Sequence, residues 1–295
     1  MPVANANGIE LCYETFGDPA DPALLLVMGF TAQLTAWDEA FCRALAERGR
    51  FVIRFDNRDC GLSTHLDGVE VDLAAVLVAA GDEMPPVPYT LATFADDAFG
   101  LLDHLDIERA HVLGASMGGM IVQTMAIDQP TRVLSMTSVM SNTGEPEYST
   151  ADPRALEVLM TPPPLDRDAF IPFSVERGAV FSSPRYYDRS AAAARAAASY
   201  DRAFYPEGAG RQLAAIRASG HRADGLRQLG VSTLVIHGRA DPLILPVGGE
   251  RTAELVPGAN LLMVADMGHD LPEPLWPLLV DSIISHTTHC IGGAG

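Results

Sequence analysis

Gly114-Ala115-Ser116-Met117-Gly118 joins two segments of different periodicity. Residues 110–113 upstream are a short apolar run that reads as a buried strand, and residues 118–127 downstream read as an apolar helix. A strand that turns directly into a helix through a serine flanked by glycines lifts that side chain above the sheet. The glycines follow from sterics, because a Cβ would collide where the two backbones close on each other. This is the form of a nucleophile elbow. A pentapeptide of this pattern arises by chance about a tenth of a time in such a chain. Its weight therefore depends on an acid and a histidine standing downstream at the right places.

Working outward, Leu24-Leu25-Leu26-Val27 is a continuous apolar run, as a strand covered on both faces requires. Further strands are read at 51–55, 133–140, 233–237 and 260–264. Helices are read around 37–48, over 91–105 from its apolar stripe, around 249–255 and near 275–286. Strands alternating with helices predict a mostly parallel sheet wrapped on both sides. The stretch 142–230 breaks that rhythm and is too long for a simple loop. It reads as a helical cap inserted in a core formed by 1–141 and 231–295. The run 73–80, followed by Pro85, Pro86 and Pro88, is expected to pack in the core.

Functional groups of open parallel sheets gather at the carboxyl ends of the strands. Ser116 follows one strand, Asp241 follows 233–237, and His269 follows 260–264, in the order Ser, Asp, His. A serine hydroxyl is a weak nucleophile until a base takes its proton. Imidazole suits that task, and a carboxylate on its other nitrogen fixes the tautomer and stabilises the imidazolium. His237 is the rival base, although it precedes the acid. Glu145, after strand 133–140, is the rival acid. The backbone amides of Met117, at the helix start, and Phe30, after the 24–27 strand, are the candidate donors to a tetrahedral oxyanion.

Composition limits the alternatives. The 295 residues carry a formal net charge of −18, which argues against nucleic acid and anionic membrane surfaces as partners. All 20 basic residues are arginine, which removes lysine Schiff-base chemistry and covalent pyridoxal phosphate. Cys12, Cys42, Cys60 and Cys290 are scattered and form no metal-ligand pattern. They read as reduced thiols of a cytoplasmic protein, with a disulfide pair as the alternative. The first ten residues lack the pattern of a signal peptide, and no apolar run is long enough to span a bilayer. No cofactor or metal is expected.

The segments Asp21-Pro22-Ala23-Leu24-Leu25-Leu26-Val27-Met28-Gly29, Arg54-Phe55-Asp56-Asn57-Arg58-Asp59-Cys60-Gly61-Leu62-Ser63 and Gly114-Ala115-Ser116-Met117-Gly118-Gly119, with 233–241, resemble the α/β-hydrolase fold superfamily over nearly the whole chain. Within it the chain is most similar to the bacterial carboxylesterase and lipase branch that includes the anthracycline methylesterases. The resemblance implies an α/β-hydrolase fold with Ser116, Asp241 and His269 as catalytic triad and the Phe30 and Met117 amides as oxyanion hole. Met28-Gly29 stands where many relatives have His-Gly, a departure the esterase branch shares. The reading is a cofactor-free serine esterase acting on small carboxylic esters or thioesters of apolar character. A lactonase or C–C bond hydrolase on the same scaffold is the alternative, and a non-catalytic ligand-binding protein is the alternative of another class.

Overall fold

A computed structural model describes residues 1–79 and 83–289. Its strands are Val3–Ala6 (β1), Ile9–Phe16 (β2), Ala23–Val27 (β3), Phe51–Phe55 (β4), Ala110–Ala115 (β5), Val133–Val139 (β6), Thr233–Gly238 (β7) and Asn260–Val264 (β8). They form one sheet in the order β1-β2-β4-β3-β5-β6-β7-β8. The pairs β1–β2 and β2–β4 are antiparallel, and every pair from β4 onward through β8 is parallel. The two N-terminal strands were not read from the sequence. Their hairpin turns at Asn7-Gly8, both at positive φ (48° and 78°), the turn chemistry that matches strand twist.

The helices are Glu39–Ala46 (α1), Leu73–Val78 (α2), Leu91–His104 (α3), Met117–Asp128 (α4), Pro153–Met160 (α5), Arg167–Phe181 (α6), Arg189–Arg202 (α7), Gly208–Ala218 (α8), Ala223–Arg227 (α9), Pro246–Leu255 (α10) and Trp276–His289 (α11). Five aspartates stand at helix starts. Asp38, Asp72, Asp152, Asp166 and Asp188 each accept from first-turn amides of α1, α2, α5, α6 and α7, satisfying donors that no helix can satisfy itself.

Successive strand residues point to opposite faces, and the core divides accordingly. Leu25, Val27, Ile53 and Val112 pack with Phe94 and Leu101 of α3 and Ile121 and Met125 of α4. Leu24, Leu26, Val52 and Leu113 pack on the other face with Phe41 and Leu45 of α1 and Leu279 and Ile283 of α11. Five helices, α5 to α9, lie between β6 and β7. The last of them, α9, joins the core through Ala223 and Leu226.

The run 73–80 does not pack as its sequence suggested. It forms α2, in which Val76 is buried while Leu77 and Val78 are 37% and 85% exposed; position 80 lies outside the described residues. Six residues make fewer than two turns, so only one side chain reaches the interior. Cys12, Cys42 and Cys60 are free thiols, and Cys290 lies outside the described residues. Among the described residues, no helix is long and apolar enough to cross a membrane.

Candidate active site

The turn between β5 and α4 is dictated by the three glycines around it. A Cβ on Gly114 would sit 2.0 Å from the Gly118 carbonyl oxygen, and one on Gly118 would sit 2.0 Å from that of Val27. On Gly119 it would meet the Ser141 side chain at 2.5 Å. Only bare backbone lets α4 start this close to β3 and β5. The consequence falls on Ser116, held at φ 57° and ψ −120°, a conformation that costs a non-glycine residue about 1–3 kcal/mol. Its neighbours hold it there. The Ser116 amide donates to Val139 O at 2.9 Å, and the Ser141 hydroxyl donates to Ser116 O at 2.8 Å.

Three side chains distant in sequence meet at this edge. His269 Nε2 lies 3.0 Å from Ser116 Oγ, and His269 Nδ1 lies 2.8 Å from Asp241 Oδ2. The partners assign the protons: Nδ1–H donates to the carboxylate, which leaves the Nε2 lone pair for the serine hydroxyl. Asp241 is 2% exposed. Its second oxygen, Oδ1, accepts from the Leu243 and Ile244 amides, each at 2.9 Å, so the carboxylate cannot rotate away. The histidine is also fixed through its backbone, since its amide donates to Phe181 O at the end of α6, at 2.7 Å.

The rivals read from the sequence occupy other positions. His237 is fully buried, its Nε2 donating to Ile244 O at 2.8 Å and standing 3.5 Å from Asp241. Burial lowers its pKa, so it is a neutral neighbour of the acid. Glu145 forms a two-pronged pair with Arg251 at 2.9 and 3.0 Å, and those hydrogen bonds hold its pKa below the ordinary value. Asp270 accepts from the Gly268 and Ser183 amides at 3.1 and 3.0 Å, a brace between the histidine loop and the helical insertion. Burial raises its pKa.

The loop after β3 lies directly against the serine. A Cβ on Gly29 would be 3.0 Å from Ser116 Cβ and 3.5 Å from Ser116 Oγ. The loop is held by Asn57, which donates to Met28 O at 2.8 Å, and by Gln212 of α8, which accepts from the Thr31 amide at 2.8 Å. Among the described residues, neither the Phe30 amide nor the Met117 amide donates a hydrogen bond within the chain. An oxygen nucleophile within reach of a base, a buried acid behind that base, and unengaged amides in the two adjoining turns are parts an acyl-transfer reaction can use. Among the described residues, no cluster of three or more His, Cys, Asp or Glu is placed to hold a metal ion.

Sequence reasoning missed the polar frame that mounts the insertion on the core. Arg211 of α8 makes two 2.8 Å bonds to the fully buried Asp59, which also accepts from Tyr89 OH. Arg202 of α7 reaches buried Asp56 at 2.7 Å, and Gln33 donates to the carbonyls of Ser199 and Ala203. Asp56 in turn accepts from the Leu34 and Leu62 amides at 2.7 and 2.9 Å. The segment Arg54 to Ser63 that supported the resemblance is thus the socket of this frame. No local spacing announces it, because its partners stand more than a hundred residues away.

Comparison with known proteins agrees with this architecture. A family model described as the alpha/beta hydrolase fold matches residues 22–273. The chain is 28% identical to the rhodomycin D methylesterase DauP of Streptomyces sp. (strain C5), covering 95% of both chains. It is also 28% identical to the rhodomycin D methylesterase DnrP of Streptomyces peucetius, again over 95% of both. Among solved structures, the enol-lactonase from Burkholderia xenovorans LB400 superposes with a TM-score of 0.75 at 23% identity, covering 97% of this chain and all of that one.

Proposed function

The chain belongs to the α/β-hydrolase fold family and is a hydrolase of carboxylic esters; from that premise we propose that Ser116, His269 and Asp241 carry the reaction. Ser116 Oγ attacks the ester carbonyl as His269 Nε2 takes its proton. The negative charge that develops on the carbonyl oxygen is received by the Met117 and Phe30 amides. The C–O bond to the alcohol then breaks, and His269 returns its proton to the departing oxygen. Water, deprotonated by the same histidine, attacks the acyl carbon; the acyl–serine bond breaks, the acid leaves and His269 returns the proton to Ser116 Oγ. Asp241 holds the ring in the required tautomer and offsets the imidazolium charge. The observation that supports these roles is the unbroken chain of contacts, 3.0 Å from serine to histidine and 2.8 Å from histidine to acid, beside two amides with no other acceptor.

The substrate we propose is a methyl ester, or another small alkyl ester, of a ring-bearing acid. The full-length methylesterase relatives favour this over a lactone or a carbon–carbon bond. We further propose that residues 142–230 act as a lid over the acyl site, mounted by Arg202, Arg211 and Gln212. The free thiols Cys12, Cys42 and Cys60 support a reducing, cytoplasmic setting. The test is hydrolysis of methyl and p-nitrophenyl esters by the wild type and by Ser116→Ala, with fluorophosphonate labelling of both. We expect labelling at Ser116 and a loss of at least a thousandfold in the variant. Equal turnover by the two proteins refutes the assignment.

A further inference from the structure

The arginines of this chain follow a pattern with one exception. Those withdrawn from solvent meet oxygen partners: Arg58 pairs with Asp97, Arg211 with Asp59, and Arg222 bonds to Gln123 and the Asn142 carbonyl. Arg177 of α6 is half-buried, yet among the described residues no carboxylate, carbonyl or hydroxyl meets its guanidinium. Its contact is the Phe181 ring, whose centroid lies 5.7 Å from Cζ. In a chain with 38 acidic residues, a half-buried arginine that meets an aromatic ring and no carboxylate has capacity left for an anion, because a partly desolvated cation gains from one.

Its position says where the missing anion would come from. Asp168, Ala169, Pro172, Glu176 and Ala179 form the exposed stripe of α6, and at 3.6 residues per turn Arg177 and Phe181 fall on the opposite, half-buried side with Phe170 and Phe173. Phe181 is one turn beyond Arg177, and its carbonyl is the group that holds the His269 amide at 2.7 Å. Arg177 therefore stands one helical turn before the residue whose carbonyl holds the candidate base, on the half-buried side of α6, with its guanidinium over that residue's ring.

We propose that Arg177 determines specificity at the ester site by receiving a carboxylate carried by the substrate, remote from the scissile ester. The proposal rests on the serine-esterase reading above. The planar guanidinium suits two parallel N–H···O bonds to such a group. Burial already lowers the pKa of Arg177, and an incoming carboxylate would relieve the desolvation that causes this. A local cation is also what an anionic substrate needs to settle on a protein whose overall charge of −18 repels it.

The test compares two p-nitrophenyl monoesters of equal chain length, that of glutaric acid with its free carboxylate and that of neutral pentanoic acid. The readout is the ratio of their kcat/KM values in the wild type, Arg177→Met and Arg177→Lys, with melting curves to confirm folding. We expect a wild-type ratio above one, a fall of at least tenfold in Arg177→Met carried mainly by KM for the glutarate ester, and partial recovery in Arg177→Lys. A wild-type ratio below one, or an unchanged ratio in Arg177→Met, overturns the proposal. The serine reading is scored separately, by whether the wild type turns over the pentanoate ester and Ser116→Ala does not. Should the wild type hydrolyse neither ester, calorimetric binding of glutarate decides the role of Arg177 alone. Binding at least tenfold weaker in Arg177→Met supports the role, and equal binding overturns it.

Discussion

Replacing Asp241 by Asn tests the acid at the lowest structural cost, since the side chains have the same shape. The outcome depends on which way the amide turns, and the surroundings decide that. Oδ1 of Asp241 accepts from the Leu243 and Ile244 amides, so the asparagine must keep its oxygen there. Its NH2 then occupies the Oδ2 position, 2.8 Å from His269 Nδ1. Two donors cannot face each other, so the imidazole places its proton on Nε2 and presents N–H to Ser116, where a base is needed. The imidazolium formed during attack also loses its counter-charge. For charge centres about 4 Å apart at an effective dielectric of about 20, that attraction is about 4 kcal/mol, or about a thousandfold in rate. With the wrong tautomer added, kcat for a p-nitrophenyl ester is expected to fall by about 10³ to 10⁴, with Tm changed little. Steady-state kinetics against a Ser116→Ala baseline measure it. A fall of less than about tenfold would show that Asp241 does not orient His269 during turnover, and would refute the reasoning.

Other consequences follow from the same contacts. Gly118→Ala puts a methyl group 2.0 Å from Val27 O; forcing β3 and α4 apart is expected to cost at least about 1–3 kcal/mol and most of the activity, read by chemical denaturation and ester turnover. Arg211→Met leaves the Asp59 carboxylate buried without its cation and is expected to destabilise by about 3–5 kcal/mol, read as a lowered urea midpoint. Burial pushes the Asp59 pKa up, but the Arg211, Leu66 and Tyr89 hydrogen bonds outweigh it and leave the folded value below the ordinary 3.8. Its contribution is therefore complete above that value and lost as pH falls through the folded pKa. Acid titration of stability should show this loss in the wild type, and a gap between wild type and Arg211→Met that narrows as pH falls, because protonating Asp59 removes the charge that the variant leaves unpaired. Burial raises the pKa values of the Cys12, Cys42 and Cys60 thiols, that of Cys42 to about 12. At pH 8 Ellman's reagent should modify them far more slowly in the native protein than in guanidinium, as peptide mapping would show.

The parallel sheet was readable because its central strands are short, largely apolar segments buried on both faces, a pattern that needs no knowledge of partners. The elbow was readable for a related reason: its demand for glycine is local, arising between residues 114 and 118. The antiparallel pair β1–β2 escaped notice because β1 is four residues long with only alanines on its buried side and the burial of β2 does not alternate, although Asn7-Gly8 marks the turn. The run 73–80 misled in the opposite direction, since apolar composition says nothing about whether a surface is near enough to cover it.

The sequence by itself determined the order of the chemistry, Ser116 then Asp241 then His269, each just past a strand, because strand ends are local features and parallel sheets collect them at one edge. Only the tertiary structure decided the rest. It chose His269 over His237 as the neighbour of Ser116 and turned Asp241 toward that ring. It set Gln212 on the loop of Phe30 and left Arg177 without a carboxylate. Those outcomes are distances between residues far apart in the chain, fixed by how α6 to α8 pack across the sheet edge, and no spacing along the polymer encodes them.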